Sequence, residues 1–138
     1  MPTVNFVGDI SFSTVSISSV SVTWAIVPGN AAWYLKRGLG SGETHTCETC
    51  WSSGKAIMGH PIDCQYETST VEGWPLFVCE IWDRTDDGFR GFHGCGSAWL
   101  PMTPGKHQLE IQLWRPVSSG LQDISGRHCA VHHEKIYR

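Results

Sequence analysis

The chain has 138 residues, enough for one hydrophobic core and too few for a second. Hydrophobic residues make up 41% and charged residues 17%, a balance that excludes an intrinsically disordered chain. The formal net charge is −3 and no block of like charge occurs, which argues against a nucleic-acid-binding tail or a polybasic membrane anchor.

The first half of the chain predicts strands separated by glycine-rich turns. Residues 3–12 are β-prone, and residues 20–26 alternate strictly, with Val20, Val22, Trp24 and Ile26 on one face. Residues 31–35 fit either a short strand or a turn of helix. Residues 38–42 predict a loop, and residues 62–66 begin another strand.

The second half is more regular. Residues 76–82 predict a strand with Phe77, Cys79 and Ile81 on one face and Glu80 on the other. Residues 83–88 predict a hairpin loop, followed by strands over residues 89–100 and 107–114. The tail, residues 117–138, is polar and weakly patterned. Strands and turns at this spacing, with no helical period, predict an all-β antiparallel sandwich.

An ordered set of short motifs resembles the B9-domain family. The motifs are His60-Pro61-Ile62-Asp63, Gly73-Trp74-Pro75, Ile81-Trp82, Gly91-Phe92-His93-Gly94, Pro104-Gly105-Lys106-His107 and Trp114-Arg115-Pro116. Trp24, the turn at Gly29 and Ala32-Trp33 fit the same family. The resemblance covers residues 1–116 and implies a C2-like β-sandwich over that range. Residues 117–138 would then continue the same domain in shortened form, without the family's last strand and with one sheet edge left unpaired.

The resemblance also implies a function. B9-domain proteins are non-enzymatic scaffold subunits of the Meckel-syndrome module at the ciliary transition zone, where they contribute to the diffusion gate. We therefore expect a protein of the cytoplasm and cytoskeleton at the base of the cilium. Its partners would be other B9-domain proteins and transition-zone membrane proteins, with no nucleic acid and no cofactor. The alternative is a C2-like peripheral membrane module that binds phosphoinositides with weak or no calcium dependence.

A scaffold acts through its surface, so the exposed aromatic and arginine residues are the candidates for partner binding. These are Trp74, Trp82, Trp99, Trp114 and Arg115. Trp82 is favoured because it lies opposite Phe77, Cys79 and Ile81 in the alternation. Most tryptophans of a small sandwich are core residues, and we expect an interface role for only about one in three.

Calcium is the first ligand to consider, because C2 domains commonly bind it through aspartates of two loops. Asp83, Asp86 and Asp87 supply half of such a set. The second loop offers only Asp63, and Arg84 lies inside the acidic loop, so we expect weak calcium binding at best. A solvated hairpin turn explains the same residues.

Zinc is the second. Cys47 and Cys50 form a Cys-x-x-Cys pair, and His60 and Cys64 would complete a site, with His45 as a substitute. The second pair is irregular and flanks a strand, which makes the prediction weak. The tail carries His128, Cys129, His132 and His133 without a second compact pair.

Three common enzyme motifs are missing from the sequence. The chain has no Gly-x-Ser-x-Gly elbow, no phosphate-binding glycine loop and no thioredoxin-like βαβ unit around the Cys-x-x-Cys pair. The N-terminus lacks the pattern of a secretory signal, so the six cysteines are interpreted as reduced thiols.

Lipid contact would need a basic cluster. Its candidates are Lys36, Arg37, Arg84, Arg90, Lys106 and Arg115.

Overall fold

A computed structural model describes residues 1–84 and 89–115 and, for the backbone alone, residues 130–137. These residues form ten β-strands and no helix. In chain order the strands are β1 (Thr3–Ser13), β2 (Ser19–Val27), β3 (Trp33–Gly38), β4 (Ser41–Glu43), β5 (Cys47–Glu48), β6 (Ala56–Thr68), β7 (Leu76–Arg84), β8 (Arg90–Trp99), β9 (Gln108–Gln112) and β10 (Ala130–Tyr137).

The strands form two antiparallel sheets, as the all-β prediction requires. Sheet A has the order β3-β6-β1-β10-β9. Sheet B has the order β4-β2-β7-β8, with β5 also paired to β2. The backbone groups of Cys95 in β8 and Trp114 just after β9 exchange two hydrogen bonds of 2.8 Å, which join the two sheets along one side.

Alternating side chains give each sheet one buried face. In β2 the buried residues include Val20, Val22, Trp24 and Ile26, as predicted. In β7 the buried residues are Phe77, Cys79 and Ile81, again as predicted. These rows meet the buried face of sheet A and form one continuous apolar core.

Aromatic rings make up one end of this core. Trp74 is only 8% exposed, and its indole Nε1 donates a 2.7 Å hydrogen bond to the Leu100 carbonyl. The Trp74 ring meets Trp33 edge-on at 5.3 Å between centroids and Phe6 at 6.0 Å. Such edge-to-face contacts add to the free energy of burial. Trp74, one of the candidates for partner binding, is therefore a core residue.

Some elements differ from their predictions in extent. The strand expected from residue 62 begins at Ala56, and the ambiguous segment at residues 31–35 is a turn up to residue 32 and the start of strand β3 from Trp33. The predicted loop at residues 38–42 contains part of β4, a three-residue strand that pairs with β2. Strand β10 pairs with β1 on one side and β9 on the other. The division of the chain at residue 116 remains a prediction.

Candidate functional site

The outer face of sheet B carries a group of partly exposed aromatic and charged side chains. Trp82 points outward, as the alternation of β7 predicts, and its Nε1 donates a 3.1 Å hydrogen bond to Thr23 Oγ1. The Phe92 ring meets Trp82 edge-on at 5.5 Å. On the same ring, the Arg90 guanidinium carbon lies 4.0 Å from the centroid. Trp82 is thus held in place by three neighbours while part of it stays accessible.

Ion pairs hold the end of this face near Trp82. Arg84 Nη2 lies 2.8 Å from Glu43 Oε1, and Arg90 Nη2 lies 3.8 Å from the same oxygen. Arg84 Nε also donates to Ser21 Oγ at 3.4 Å. Partly exposed pairs of this kind contribute little to stability, about 1 kcal/mol or less each. Their effect here is positional, because both arginines are directed toward Glu43.

A groove of about 500 Å³ runs beside Trp82 on the same face. Its base is formed by outward residues of three strands, among them Thr23, Val78, Glu80 and Ser97. Its sides include the aromatic side chains of Phe92 and Trp114. A groove with an apolar lining and few polar groups is the usual form of a recognition site.

Cys95 also lines this groove, next to Glu80 on the neighbouring strand. Burial raises the pKa of the Cys95 thiol, and the nearby Glu80 carboxylate raises it further. The neutral thiol is therefore the dominant form near neutral pH, and it is a poor nucleophile. Cys95 contributes a small, weakly polar surface to the groove.

Three of the predicted partner-binding residues have large exposed areas. Trp99 is 67% exposed at the end of β8, and Trp114 is 61% exposed. Arg115 is exposed beside Trp114. Trp82 is half-buried, and Trp74 has little accessible surface. The structure therefore brings Trp82 and Trp114 to one face and places Trp99 on the same face, opposite Leu76.

Sequence reasoning missed Phe92, which is 40% exposed. Gly94 and Gly96 face inward, so a regular strand would also direct Phe92 inward. A register shift in the β7–β8 pairing breaks the alternation, since Ile81 pairs with Gly94 while Trp82 pairs with Phe92. This irregularity places Phe92 on the outer face beside Trp82. The cluster of glycines in this segment was the only signal of it.

The calcium candidates are only partly described. Asp83 is a half-buried residue of β7 in sheet B, and Asp63 is an exposed residue of β6 in sheet A. Asp86 and Asp87 lie outside the described residues. In the part of the chain that the structure describes, no group of three or more His, Cys, Asp or Glu residues is placed to hold a metal ion. The calcium prediction for the loop remains untested.

The zinc candidates lie in different environments. Cys47 is buried in β5, while Cys50 is exposed. Cys64 is buried in β6, and its burial, with a smaller effect of Asp63, raises the pKa of its thiol to about 12. Zinc binds the thiolate, which such burial disfavours. Of the tail residues named above, His128 and Cys129 lie outside the described residues.

His60, the remaining zinc candidate, has a structural contact. Its Nε2 accepts a 3.0 Å hydrogen bond from the Trp24 indole Nε1, which requires a ring without a proton on that nitrogen. Burial lowers the pKa of His60 below its usual value, and the nearby His45 lowers it further. A lone pair engaged by Trp24 is not available to a metal ion.

The thiols described by the structure are free. They are Cys47, Cys50, Cys64, Cys79 and Cys95. Cys50 differs from the others because hydrogen bonds from Ser52 and Ser53 lower the pKa of its exposed thiol to about 6.

The basic residues considered for lipid contact are distributed over both sheets. Lys36 of β3 pairs with Glu67 at 3.2 Å in sheet A, whereas Arg84 and Arg90 pair with Glu43 in sheet B. Three of the six cations are therefore already paired with carboxylates on separate sheets. Within the described ranges, no helix has the length and apolar character needed to span a membrane.

Comparisons with known proteins identify relatives of this chain. Residues 4–129 match the B9-C2 family, described as "Ciliary basal body-associated, B9 protein". The chain is 33% identical to B9 domain-containing protein 2 of Mus musculus over 126 residues, which cover 91% of this chain and 71% of that protein. The identity to B9 domain-containing protein 2 of Homo sapiens is also 33%, with the same coverage. Tectonic-like complex member MKS1 of Homo sapiens is 30% identical over 94 residues, covering 58% of this chain and 16% of that protein.

Proposed function

This chain belongs to the B9-C2 family of ciliary basal body-associated proteins, and we propose that it works as a non-enzymatic scaffold subunit at the ciliary transition zone. It would act by binding other B9-domain proteins in a complex of the Meckel-syndrome, or tectonic-like, type. Such a complex, with its membrane proteins, contributes to cilium assembly and to the diffusion gate at the base of the cilium. The protein would reside in the cytoplasm and cytoskeleton of that region.

Two comparisons support this assignment. The relatives named B9 domain-containing protein 2 match nearly the whole chain, so the likeness is not confined to one motif. The relative MKS1 carries the name of a tectonic-like complex member and shares part of this chain's sequence.

The observation that carries the proposal is the grouping of aromatic side chains on the outer face of sheet B. Sheet A also exposes Tyr34 of β3 and Ile57 of β6, but these lie near opposite ends of β6, with polar residues such as Gln65 between them. On sheet B, aromatic side chains lie together around one groove, and Trp99 and Trp114 are each more than 60% exposed. Exposed aromatic residues next to charged ones are typical of protein interfaces. We assign partner binding to the sheet B face.

Co-expression tests the proposal. The chain is produced with the other B9-domain proteins of the same cell, and the mixture is separated by size-exclusion chromatography with light scattering. We expect one species with a fixed stoichiometry. Elution of the folded chain on its own would contradict the proposal.

A paired set of variants identifies the surface. Trp99→Ser combined with Trp114→Ser removes two exposed aromatic anchors from the sheet B face, and Trp51→Ser removes the 99% exposed indole of Trp51 elsewhere. A central aromatic anchor contributes about 2 kcal/mol, so the loss of two, about 4 kcal/mol, should weaken the complex roughly 1,000-fold. The Trp51 variant should bind like the wild type. Equal loss in both would contradict the assignment of the surface.

A further inference from the structure

The groove on the outer face of sheet B contains a carboxylate at its base. Glu80 lies in the central strand β7, opposite Thr23 on one side and Cys95 on the other. Its side chain is exposed and lines the groove together with Phe92 and Trp114. Opposed side chains in an antiparallel pair have their Cβ atoms about 5 Å apart, so Glu80 is within reach of groups on both neighbouring strands.

This carboxylate is not neutralised by the residues around it. The two arginines of the same face, Arg84 and Arg90, are directed to Glu43. Within residues 1–84 and 89–115, no basic side chain forms an ion pair with Glu80. The groove therefore offers a single negative charge between aromatic side chains.

The neighbouring part of this face shows how such a set of groups is used. The Arg90 guanidinium lies over the Trp82 ring at 4.0 Å and reaches the Glu43 carboxylate at 3.8 Å. An arginine is thus held there between an indole and a carboxylate. The groove presents the same pair of groups, Trp114 and Glu80, and no arginine of the described residues occupies it.

We propose that this groove binds an arginine side chain of a partner protein, with Glu80 pairing with the guanidinium and Phe92 and Trp114 packing against its plane. The proposal rests on the proposed function, because it names the chemistry of the partner at the interface. A guanidinium can pair with the carboxylate and stack on an aromatic ring at the same time.

Other occupants fit less well. An apolar side chain would bury the Glu80 carboxylate without a partner, which is costly. An anionic group would be repelled by it. A lysine ammonium would satisfy the charge, but it lacks the flat surface that stacks on Trp114 and Phe92. The combination of one carboxylate with two aromatic rings therefore favours arginine.

A peptide titration tests the groove directly. The probe is a capped glycine pentapeptide with a central arginine, added to the ¹⁵N-labelled full chain and followed by NMR. We expect saturable shifts of the Trp114 indole N–H and the Cys95 amide, weaker shifts with a central lysine and none with a central glutamate. Absence of shifts with the arginine peptide would overturn the proposal.

Two charge variants make the test specific. Glu80→Gln removes the carboxylate from the groove, and Glu48→Gln removes an exposed carboxylate from β5 as a matched control. One exposed ion pair corresponds to about a five-fold change in affinity, so we expect the arginine peptide to bind Glu80→Gln about five-fold more weakly. The Glu48 variant should bind like the wild type. Equal binding by all three proteins would overturn the role of Glu80.

The co-expression experiment separates this proposal from the proposed function. Glu80→Lys places a positive side chain opposite the expected arginine, so the complex should be lost. Thermal unfolding of the variant should show that the chain itself remains folded. If the wild type co-elutes and Glu80→Lys does so equally well, the groove proposal fails and the scaffold function stands. If the wild type does not co-elute, the scaffold function fails, and the peptide titration still decides the chemistry of the groove.

Discussion

At the scale of single residues, the contact between Trp24 and His60 makes stability depend on pH. Neutral His60 accepts the indole hydrogen bond of Trp24, and burial holds its folded pKa below the usual value. The unfolded chain binds a proton at an unperturbed histidine pKa of about 6.5. As pH falls below that value, the unfolded state takes up the proton first, so folding stability decreases until the folded pKa is reached.

His60→Gln should reduce this effect, because its side-chain oxygen can accept the Trp24 hydrogen bond without titrating. The measurement is urea unfolding of the wild type and the variant at about pH 7.5 and about pH 5.5. We expect the wild type to lose more stability on acidification than the variant does. An identical loss in both proteins would contradict a neutral, structurally bound His60.

At the scale of the element, the glycines of β8 allow strand β9 to approach sheet B. A Cβ at Gly96 would lie 2.6 Å from the Gln112 carbonyl oxygen and 2.7 Å from Ile111 Cγ2. A Cβ at Gly91, in the same strand, would meet no atom within 4 Å. Close packing of this kind does not tolerate an added methyl group without movement of the backbone.

Gly96→Ala should therefore lower the free energy of unfolding by about 2 kcal/mol, the usual cost of overpacking. Gly91→Ala is the matched control and should change it by less than about 0.5 kcal/mol. Chemical denaturation of both variants measures the difference. A similar effect of the two substitutions would show that the approach of β9 does not constrain β8.

An element can be predicted from the sequence when its local residue pattern determines it, and not when it depends on contacts with distant segments. Strands β2 and β7 were predicted with the correct buried faces because each has a strict alternation, such as Phe77, Cys79 and Ile81 in β7. Strands β4 and β5 contain three and two residues and exist only through pairing with β2, which local sequence does not encode. The same holds for the candidate site. The outward position of Trp82 follows from alternation, whereas Phe92 and the bridge from Cys95 to Trp114 depend on a register shift and a long-range contact.

At the scale of the whole molecule, the sandwich separates its stabilising aromatic residues from its accessible ones. Trp24, Trp33 and Trp74 are buried, while Trp99 and Trp114 lie on the outer side of sheet B or at its edge. The core residues can therefore hold the fold independently of what the exposed residues bind. The proposed scaffold function would use this separation, because exposed aromatic residues can bind partners without disturbing the core.

Hydroxyl-radical footprinting of the co-expressed complex tests whether the outer face of sheet B binds the partners. Oxidation rates of the exposed indoles are compared between the free chain and the complex. We expect Trp99 and Trp114 to become protected on assembly, while Trp51, which is 99% exposed in the free chain, keeps its rate. A complex that forms while Trp99 and Trp114 stay as reactive as in the free chain would contradict the assignment of partner binding to the outer face of sheet B.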